Sequence, residues 1–302
     1  MADAATWTID DREVSLTHLD RVLWPGEGIT KQDVVEYYRA IAPVMLPHFK
    51  DRPVTLRMFH DGISGPGIYR REAPKTAPAW LRRAQYTTVT DAHTIEVPLI
   101  DDGAGLIWFA NAGAIEFHLW SSHLPELDEP DRVVIDLDPG NEADFAIVLD
   151  AALVVSAKLD DLGLTGFPKT SGGHGLHIYL PLAKGYDFET VREWVEELAI
   201  RLAADHPGLI APAHGSTHTG KLVTIDHAQN SIGRNTAAPY TIRARPGAPV
   251  STPLNWDEVR AKKLRPEDFT IRNVAKRVDR LGDLFAPVLG KGKTLPQWDA
   301  AG

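Results

Sequence analysis

The sequence predicts a mixed α/β fold of the α+β type. Short apolar segments with strand-like alternation are interleaved with two amphipathic segments, 143–162 and 187–205, whose apolar residues recur at helical spacing. Strands alternating with helices are typical of domains in which helices pack on a sheet, and we expect a mixed sheet. The expected strands and β-like segments are 106–120, 175–182, 221–226 and 239–245.

A further helix is predicted near the N-terminus. Thr30 is a good N-cap, and Val34, Tyr38 and Ile41 follow at helical spacing. Segment 61–79 is rich in Gly and Pro, which predicts an irregular exposed loop.

The domain organisation is predicted to be simple, because no strong linker divides the chain. We expect one domain over 1–290, with an N-terminal subdomain over about 1–104 and a catalytic subdomain over about 105–290. The segment 291–302 is expected to be a flexible tail.

Composition excludes several classes of protein. The 302 residues are 43% hydrophobic and 24% charged, which is typical of an ordinary globular protein. The absence of cysteine excludes disulfides and cysteine-ligated zinc. No apolar run is long enough to span a bilayer, and residues 1–11 lack a signal-peptide pattern, so we expect no membrane partner and a cytoplasmic, nucleoid-associated protein.

The charge distribution is uneven along the chain. The net charge is −9, but residues 121–165 hold 11 acids and 2 bases, which alone gives −9. Residues 234–280 hold 11 bases and 5 acids, and residues 50–83 hold 8 bases and 3 acids. An acidic centre flanked by basic segments suits a polyanionic substrate, although solvated helix faces would give the same counts.

The acidic centre contains the most informative motif, Val133-Val-Ile-Asp136-Leu-Asp138-Pro-Gly140. Residues two apart in a strand share a face, so Asp136 and Asp138 project together. Two neighbouring carboxylates repel each other when buried, and a hard cation such as Mg²⁺ or Mn²⁺ removes that repulsion. The alternative is a strand end where both acids meet solvent.

Four further features carry candidate site residues, each with a structural alternative. Asp226 ends a second apolar strand and could be a third metal ligand. The turn after Thr170 combines Ser171, three glycines (Gly172, Gly173 and Gly175), His174 and His177, and its backbone N–H groups could approach an anion. Arg243 and Arg245 would share one face of the strand 239–245 and suit phosphate, and His118 interrupts an apolar strand.

Taken together, these motifs resemble the polymerase domain of bacterial DNA ligase D, a member of the archaeo-eukaryotic primase superfamily. The resemblance runs from about Leu16 to Leu281 and is most specific in Asp136-Leu-Asp138-Pro-Gly, in Thr170-Ser-Gly-Gly-x-Gly-Leu-His177 and in the segment Arg243–Leu254. It implies a primase-polymerase fold with an RRM-like catalytic sheet. It also suggests a stand-alone relative, because we find no ligase or nuclease motifs in the sequence.

The resemblance also implies roles for individual residues. Asp136, Asp138 and Asp226 match the three catalytic carboxylates that hold two divalent ions, Mn²⁺ or Mg²⁺. The expected nucleotide contacts are Arg57, Tyr69, His118, Ser171, Gly172, His174, His177, Gln229, Arg243 and Arg245, with Tyr69 stacking on the base. His174 stands where the family usually has lysine. The expected pocket for a DNA 5′-phosphate consists of His18, Arg21 and Lys31.

The function implied by the resemblance is template-directed, metal-dependent nucleotidyl transfer that fills short gaps in DNA repair. Ribonucleotides would be preferred, and a downstream 5′-phosphate would be recognised. The implied partners are gapped or broken double-stranded DNA, NTP or dNTP, a separate DNA ligase and, as a further candidate, an end-binding protein. Three alternatives stay open: a primase that starts chains de novo, a catalytically silent DNA-end binding module, and a metal-dependent nuclease.

Overall fold

The computed structural model describes residues 5–88, 92–212 and 220–298, which form two compact units. Unit 1 contains the described residues of Met1–Trp120, Asn235–Ser251 and Phe269–Asp283. Unit 2 contains those of Ser121–Arg234, Thr252–Asp268 and Leu284–Gly302. Each unit is therefore built from three segments of the chain. The sequence-based boundary near residue 105 stays a prediction.

Unit 1 is built on a four-stranded antiparallel sheet in the order β14-β9-β5-β6. Its other strands pair as three hairpins, β1-β2, β3-β4 and β7-β8. The strands of this unit are β1 Ala5–Ile9, β2 Arg12–Leu16, β3 Val22–Trp24, β4 Ile29–Thr30, β5 Val54–Met58, β6 Ile68–Arg70, β7 Arg83–Thr87, β8 Thr94–Pro98, β9 Ala114–Trp120 and β14 Asn235–Ala237. Its helices are α1 Lys31–Met45, α2 Gly103–Asn111 and α6 Val274–Leu281. Every residue of β9 is buried, so β9 forms the centre of this core.

The strands of unit 2 are β10 Arg132–Pro139, β11 Phe167–Thr170, β12 Leu176–Pro181 and β13 Val223–Ile225. They form a second antiparallel sheet, in the order β11-β12-β10-β13. Its helices are α3 Phe145–Asp161, α4 Phe188–Asp205 and α5 Trp256–Ala261, with a short 3₁₀ helix at His227–Asn230. The chain order β10-α3-β11-β12-α4-β13 is the βαββαβ arrangement of RRM-like domains, which confirms the predicted catalytic sheet.

Several sequence-based predictions are confirmed. Thr30 caps α1 in a capping box with Asp33, and the apolar face of α1 is buried. The helices expected over 143–162 and 187–205 correspond to α3 and α4. Asp144 and Asp187 cap them by accepting a backbone N–H three residues further on.

The expectation of a continuous β-like segment over 106–120 is wrong. The segment begins inside α2, which Asp102 caps by accepting the N–H of Gly105, and becomes β9 only after Gly113. An apolar run buried on all sides has no period that separates helix from strand, so the pattern could not resolve this switch.

The predicted strand over 239–245 is also wrong. Tyr240 has φ +67°, and the N–H of Arg245 donates to the carbonyl of Arg243 at 2.8 Å, which makes a tight turn. Arg243 and Arg245 therefore do not share a strand face. Tyr240 is held in this conformation by its hydroxyl, which donates to Asp283 at 2.6 Å, and by its N–H, which donates to the carbonyl of Ser251.

One smaller expectation also differs from the structure. The named strands pair only antiparallel in the described ranges, where a mixed sheet was expected, because α3 joins β10 and β11 with β12 lying between them. In the described part of the expected flexible tail, 291–298, Lys293 pairs with Leu182, and the Trp298 ring stacks on Trp194 with centroids 5.0 Å apart. The flexibility of this segment stays a prediction. Residues 299–302 lie outside the described residues.

Among the described residues, no helix has the length and apolar character needed to cross a membrane.

Candidate active site

The sheet of unit 2 brings Asp136, Asp138 and Asp226 together. The pleat of β10 places Asp136 and Asp138 on one face. The neighbouring strand β13 runs antiparallel, with Leu137 opposite Ile225, so Asp226 follows directly beside the motif. Each acid offers a carboxylate oxygen, and these oxygens lie within 4.8 Å of one another.

The electrostatics of this cluster are unfavourable without a cation. Asp136 is 4% exposed. Burial raises the pKa of its carboxyl, and so do the charges of Asp138 and Asp226, while a hydrogen bond from Gln229 and the charge of Lys169 act in the opposite direction. The buried Oδ1 of Asp136 accepts no hydrogen bond among the described residues. Three converging carboxylates with an unsatisfied buried oxygen form a donor set that fits hard divalent ions such as Mg²⁺ or Mn²⁺.

A short segment after Asp226 fixes the geometry of the third acid. The side-chain amide of Asn230 donates to the carbonyl of Val134 at 2.8 Å and accepts its N–H at 2.9 Å, which ties the 3₁₀ helix to β10. The amide of Gln229 then reaches Oδ2 of Asp136 at 3.2 Å. Gln229, expected at the nucleotide, therefore lies against a metal-ligand candidate.

His177 lies opposite Asp136 on β12, and its Nε2 is 3.3 Å from Oδ1 of Asp136. Its Nδ1 is 3.0 Å from Nζ of Lys169, a fully buried lysine on β11. With its ammonium charged, Lys169 can only donate, and in that state Nδ1 of His177 accepts and the ring proton lies on Nε2. Lys169 thus fixes the tautomer of His177 beside the acids.

The Gly-rich turn between β11 and β12 is organised by Ser171. Its Oγ accepts the N–H groups of Gly173 at 3.1 Å and Gly175 at 3.2 Å, so these two amides are engaged within the loop rather than open to an anion. A Cβ at Gly175 would lie 2.5 Å from the carbonyl oxygen of Leu137, which explains the glycine there. Gly172 has φ +69°. His174 is exposed and lines a cavity of about 680 Å³.

Unit 1 carries a separate cationic cluster around the buried carboxylate of Glu116. Oε1 of this carboxylate accepts from Nη1 of Arg57 at 3.0 Å and from the N–H of Ala244 at 3.0 Å. Oε2 accepts from Nε of Arg243 at 3.1 Å and from Nε2 of His118 at 2.9 Å. Three predicted nucleotide contacts therefore converge on one acid.

The charges of this cluster shift one another's pKa values. Burial alone would raise the pKa of Glu116, but the hydrogen bond from His118 and the charge of Arg243 outweigh it and bring that pKa to about 2. Burial, followed by the charges of Arg243 and Arg57, lowers the pKa of Arg245. The cluster thus holds three guanidinium groups near a single carboxylate.

Tyr69 supplies an exposed aromatic surface beside the same cluster. It pairs with Arg57 across β5 and β6 and is 60% exposed. Cζ of Arg57 lies 5.3 Å from the centre of its ring, and the His118 ring is 5.9 Å away in an edge-on arrangement. Its free face is of the kind on which a base can stack.

Two of the three residues expected at a DNA 5′-phosphate also lie together in unit 1. Arg21 and Lys31 line a small cavity of about 40 Å³ with His60 and Gly113. Nζ of Lys31 donates to the carbonyl of Thr17 at 2.6 Å. Burial, and then the charge of Arg21, lower the pKa of Lys31 to about 8. His18, with φ +54°, is not one of the described residues that line this cavity.

The family model for the LigD primase-polymerase domain matches residues 30–285. Together with the fold and the clustered acids, this match defines the class of protein: a nucleotidyltransferase of the primase-polymerase superfamily. The chain belongs to the LigD primase-polymerase domain family.

Individual relatives agree with this assignment. The chain is 35% identical over 286 residues to the multifunctional non-homologous end joining protein LigD of Mycolicibacterium smegmatis, covering 93% of the chain and 37% of that protein. It is 30% identical to the corresponding LigD of Pseudomonas aeruginosa, covering 89% of the chain and 32% of that protein. The chain thus spans about a third of the length of these relatives. Among solved structures, it matches the polymerase domain of Mycobacterium tuberculosis ligase D in complex with DNA with a TM-score of 0.86 and 33% identity, covering 93% of the chain and 99% of that domain.

Sequence reasoning missed Glu116, Lys169 and Asn230. Glu116 lies within an apolar strand, where a single polar residue is usually a satisfied structural one. A weak signal was present for Glu116, since a charged residue two positions before His118 on a buried strand shares its face. Lys169 and Asn230 gave no local signal, because their partners are distant in the chain or lie on another strand.

Proposed function

We propose that this protein adds nucleotides, directed by a template, to primer ends at short gaps or breaks in DNA. The observation that carries the proposal is the convergence of Asp136, Asp138 and Asp226 on one face of the unit 2 sheet. Such a cluster is unfavourable unless it binds cations, and a module that only bound DNA would gain nothing from clustered carboxylates near phosphate.

Asp136, Asp138 and Asp226 would hold two divalent ions, Mn²⁺ or Mg²⁺. When bound, such ions lower the pKa of a primer 3′-hydroxyl and neutralise charge on the triphosphate and the leaving pyrophosphate. Gln229 orients Asp136 through its hydrogen bond to Oδ2. His177, whose Nε2 lies 3.3 Å from Oδ1 of Asp136, and the Ser171 hydroxyl of the Gly-rich turn are the groups of unit 2 that would contact phosphate.

In unit 1, the proposed nucleotide contacts are the cationic cluster and the adjacent ring. Arg57, Arg243 and Arg245 supply positive charge for phosphate groups, and guanidinium groups bind phosphate in a bidentate manner. Tyr69 would stack on a base without regard to its identity. A preference for ribonucleotides is a further part of the proposal.

The proposed site for a downstream 5′-phosphate is the cavity that Arg21 and Lys31 line. Two cations beside one small cavity suit a phosphate monoester. Both are fixed in place, because Nη1 of Arg21 donates to the carbonyl of His60 at 2.5 Å and Lys31 donates to the carbonyl of Thr17.

We propose that gapped or broken DNA with a 5′-phosphate is the substrate. A ligase would seal the product, and an end-binding protein is a further candidate partner. The expected place of action, the nucleoid, stays a prediction.

The test is extension of a labelled primer across a one-nucleotide gap, with the template base varied. We expect addition of the complementary nucleotide, faster with ribonucleotides than with deoxyribonucleotides and faster with Mn²⁺ than with Mg²⁺. Asp138→Asn should abolish addition and leave DNA binding intact, whereas Asp161→Asn, which changes an exposed acid at the end of α3, should behave as wild type.

The alternatives give different results in the same assay. Dinucleotide synthesis on an unprimed single strand would indicate a primase, and loss of primer length would indicate a nuclease. DNA binding without nucleotide addition under either metal would contradict the proposal and favour a silent end-binding module.

A further inference from the structure

We infer that Glu116 is a positioning residue for nucleotide addition: its carboxylate fixes the side chains of Arg57, Arg243 and His118 in the arrangement that receives phosphate. This inference rests on the proposed function, because it assigns Glu116 a role through three proposed nucleotide contacts. Glu116 itself would not touch the nucleotide, since it is fully buried.

The geometry supports this role because four donors occupy the two oxygens of one carboxylate. Arg57 and the Ala244 amide share Oε1, while Arg243 and His118 share Oε2, at distances of 2.9 to 3.1 Å. A guanidinium is planar and rigid, so fixing one of its N–H groups also fixes the directions of the others. The two arginines come from different segments, β5 and the turn after β14, and the carboxylate joins them.

The charge pattern explains why an acid is needed at this position. Arg57, Arg243 and Arg245 repel one another when no anion is bound, and a single negative charge among them reduces that repulsion. Because one carboxylate cannot neutralise three guanidinium groups, the cluster keeps an excess of positive charge for an incoming polyanion. An apolar side chain at position 116 would fit the buried strand but would leave the arginines unfixed.

Stability alone does not explain a buried acid on β9. Buried ion pairs often contribute little to stability relative to apolar residues of similar volume. The hydrogen bond to the Ala244 N–H also fixes the turn that carries Arg243 and Arg245. A displacement of about 1 Å in such groups can lower the rate of a reaction on the order of 100-fold.

The test compares Glu116→Asp, which keeps the charge but shortens the reach, with Glu116→Gln, which keeps the length but removes the charge. Glu96→Gln is the matched control, because Glu96 is an exposed acid of the same unit, 3.6 Å from Arg83. Each variant is measured for single-nucleotide addition on gapped DNA, for binding of a fluorescent ATP analogue, for binding of gapped DNA and for its thermal unfolding midpoint.

We expect Glu116→Asp to lower kcat/KM for nucleotide addition roughly 10-fold to 100-fold, with DNA affinity and the unfolding midpoint close to those of wild type. Glu116→Gln should lose activity to a similar extent, and Glu96→Gln should lose none. Combining Glu116→Asp with Arg57→Lys should reduce activity little beyond the larger single effect, because both changes disrupt one cluster.

Two results would overturn the inference. One is wild-type addition and ATP binding in folded Glu116→Asp. The other is a loss of activity in both Glu116 variants that is no larger than their loss of folded protein, because such a result would show that Glu116 has only a structural role. Failure of the proposed function gives a different result from failure of this inference. In that case wild type would bind the ATP analogue without extending DNA. Reduced binding of the ATP analogue by Glu116→Asp would still support the positioning role.

Discussion

The backbone N–H of Asp226 donates to the carbonyl oxygen of Asp136 at 2.9 Å. The two residues are 90 positions apart (226 − 136), and this bond continues the pairing of β10 with β13. The main chain therefore places the third acid on the sheet, and Oδ1 of Asp226 also accepts the N–H of Ala228 at 3.0 Å. Replacing its carboxylate by an amide should change the charge of the site and leave its backbone in place.

The first prediction is that the charge of the three-acid cluster lowers the thermal stability of the protein and that divalent ions restore it. Without divalent ions, Asp138→Asn should raise the unfolding midpoint, because it removes one of the charges that raise the pKa of buried Asp136. A gain of about 1 kcal/mol corresponds to roughly 2–4 °C for a protein of this size. Added Mn²⁺ should raise the midpoint of wild type more than that of Asp138→Asn, because it binds the folded cluster.

Differential scanning fluorimetry at several Mn²⁺ concentrations measures both effects. Asp161→Asn serves as the control and should respond to Mn²⁺ as wild type does. Equal Mn²⁺ shifts for wild type and Asp138→Asn would mean that the three acids do not form the ion site.

The second prediction concerns Lys169. Lys169→Met keeps most of the side-chain volume but removes the ammonium that fixes the tautomer of His177. We expect nucleotide addition to fall about 10-fold or more, by analogy with other residues that orient a functional histidine. Lys184→Met, which replaces an exposed lysine of the same unit, should be neutral in the same extension assay. Unchanged activity in Lys169→Met would show that the orientation of His177 does not matter.

The third prediction is a pH dependence of 5′-phosphate recognition. The pKa of Lys31 is lowered to about 8, so the folded protein carries this positive charge below that pH and loses it above. The affinity advantage of a 5′-phosphorylated gap over a 5′-hydroxyl gap should be full at pH 7 and decline as the pH rises through 8 to 9. Bound phosphate favours the charged form of Lys31, so the pH at which half of the affinity advantage is lost lies somewhat above the pKa of the free protein.

Lys31→Arg should keep the advantage across this range, because arginine stays protonated. Fluorescence anisotropy with the two gapped DNAs at each pH gives the ratio of dissociation constants. A ratio that does not change with pH in wild type would remove Lys31 from the phosphate site.

The fourth prediction tests Tyr69 as a stacking surface. Tyr69→Ala should raise KM for the nucleotide by an amount equivalent to about 1–3 kcal/mol, the usual contribution of base stacking on an aromatic ring. Tyr69→Phe should retain the wild-type value. Ile68→Ala alters the neighbouring exposed side chain and is the control. Equal KM values for Tyr69→Ala and wild type in steady-state extension would exclude stacking on this ring.

Local patterns in the sequence predicted much of unit 2. The alternation over 133–138 placed Asp136 and Asp138 on one face, and the helical spacing and Asp caps located α3 and α4. These features depend on neighbours a few positions apart, which a single sequence displays directly. The pairing of β13 with β10 that places Asp226 depends on the whole sheet, so the resemblance to a known family had to supply it.

The cluster in unit 1 was only partly predictable. The resemblance named Arg57, His118 and Arg243, but a strand was expected where Arg243 and Arg245 form a turn. The N–H of Arg243 donates to Pro249 and the N–H of Ala244 donates to Glu116, and no local pattern reveals these contacts. Glu116 was overlooked for the same reason: its importance lies in partners 59 and 127 positions away.

The catalytic role of the three acids is tested by nucleotide addition on gapped DNA with Mn²⁺, with Asp226→Asn as the variant and Asp161→Asn as the matched control. We expect Asp226→Asn to stay folded and to bind the DNA but to add nucleotide at least about 1,000-fold more slowly than wild type, since phosphoryl transfer depends on charge stabilisation at the site. Addition at the wild-type rate by Asp226→Asn would show that the three acids do not form a catalytic metal site.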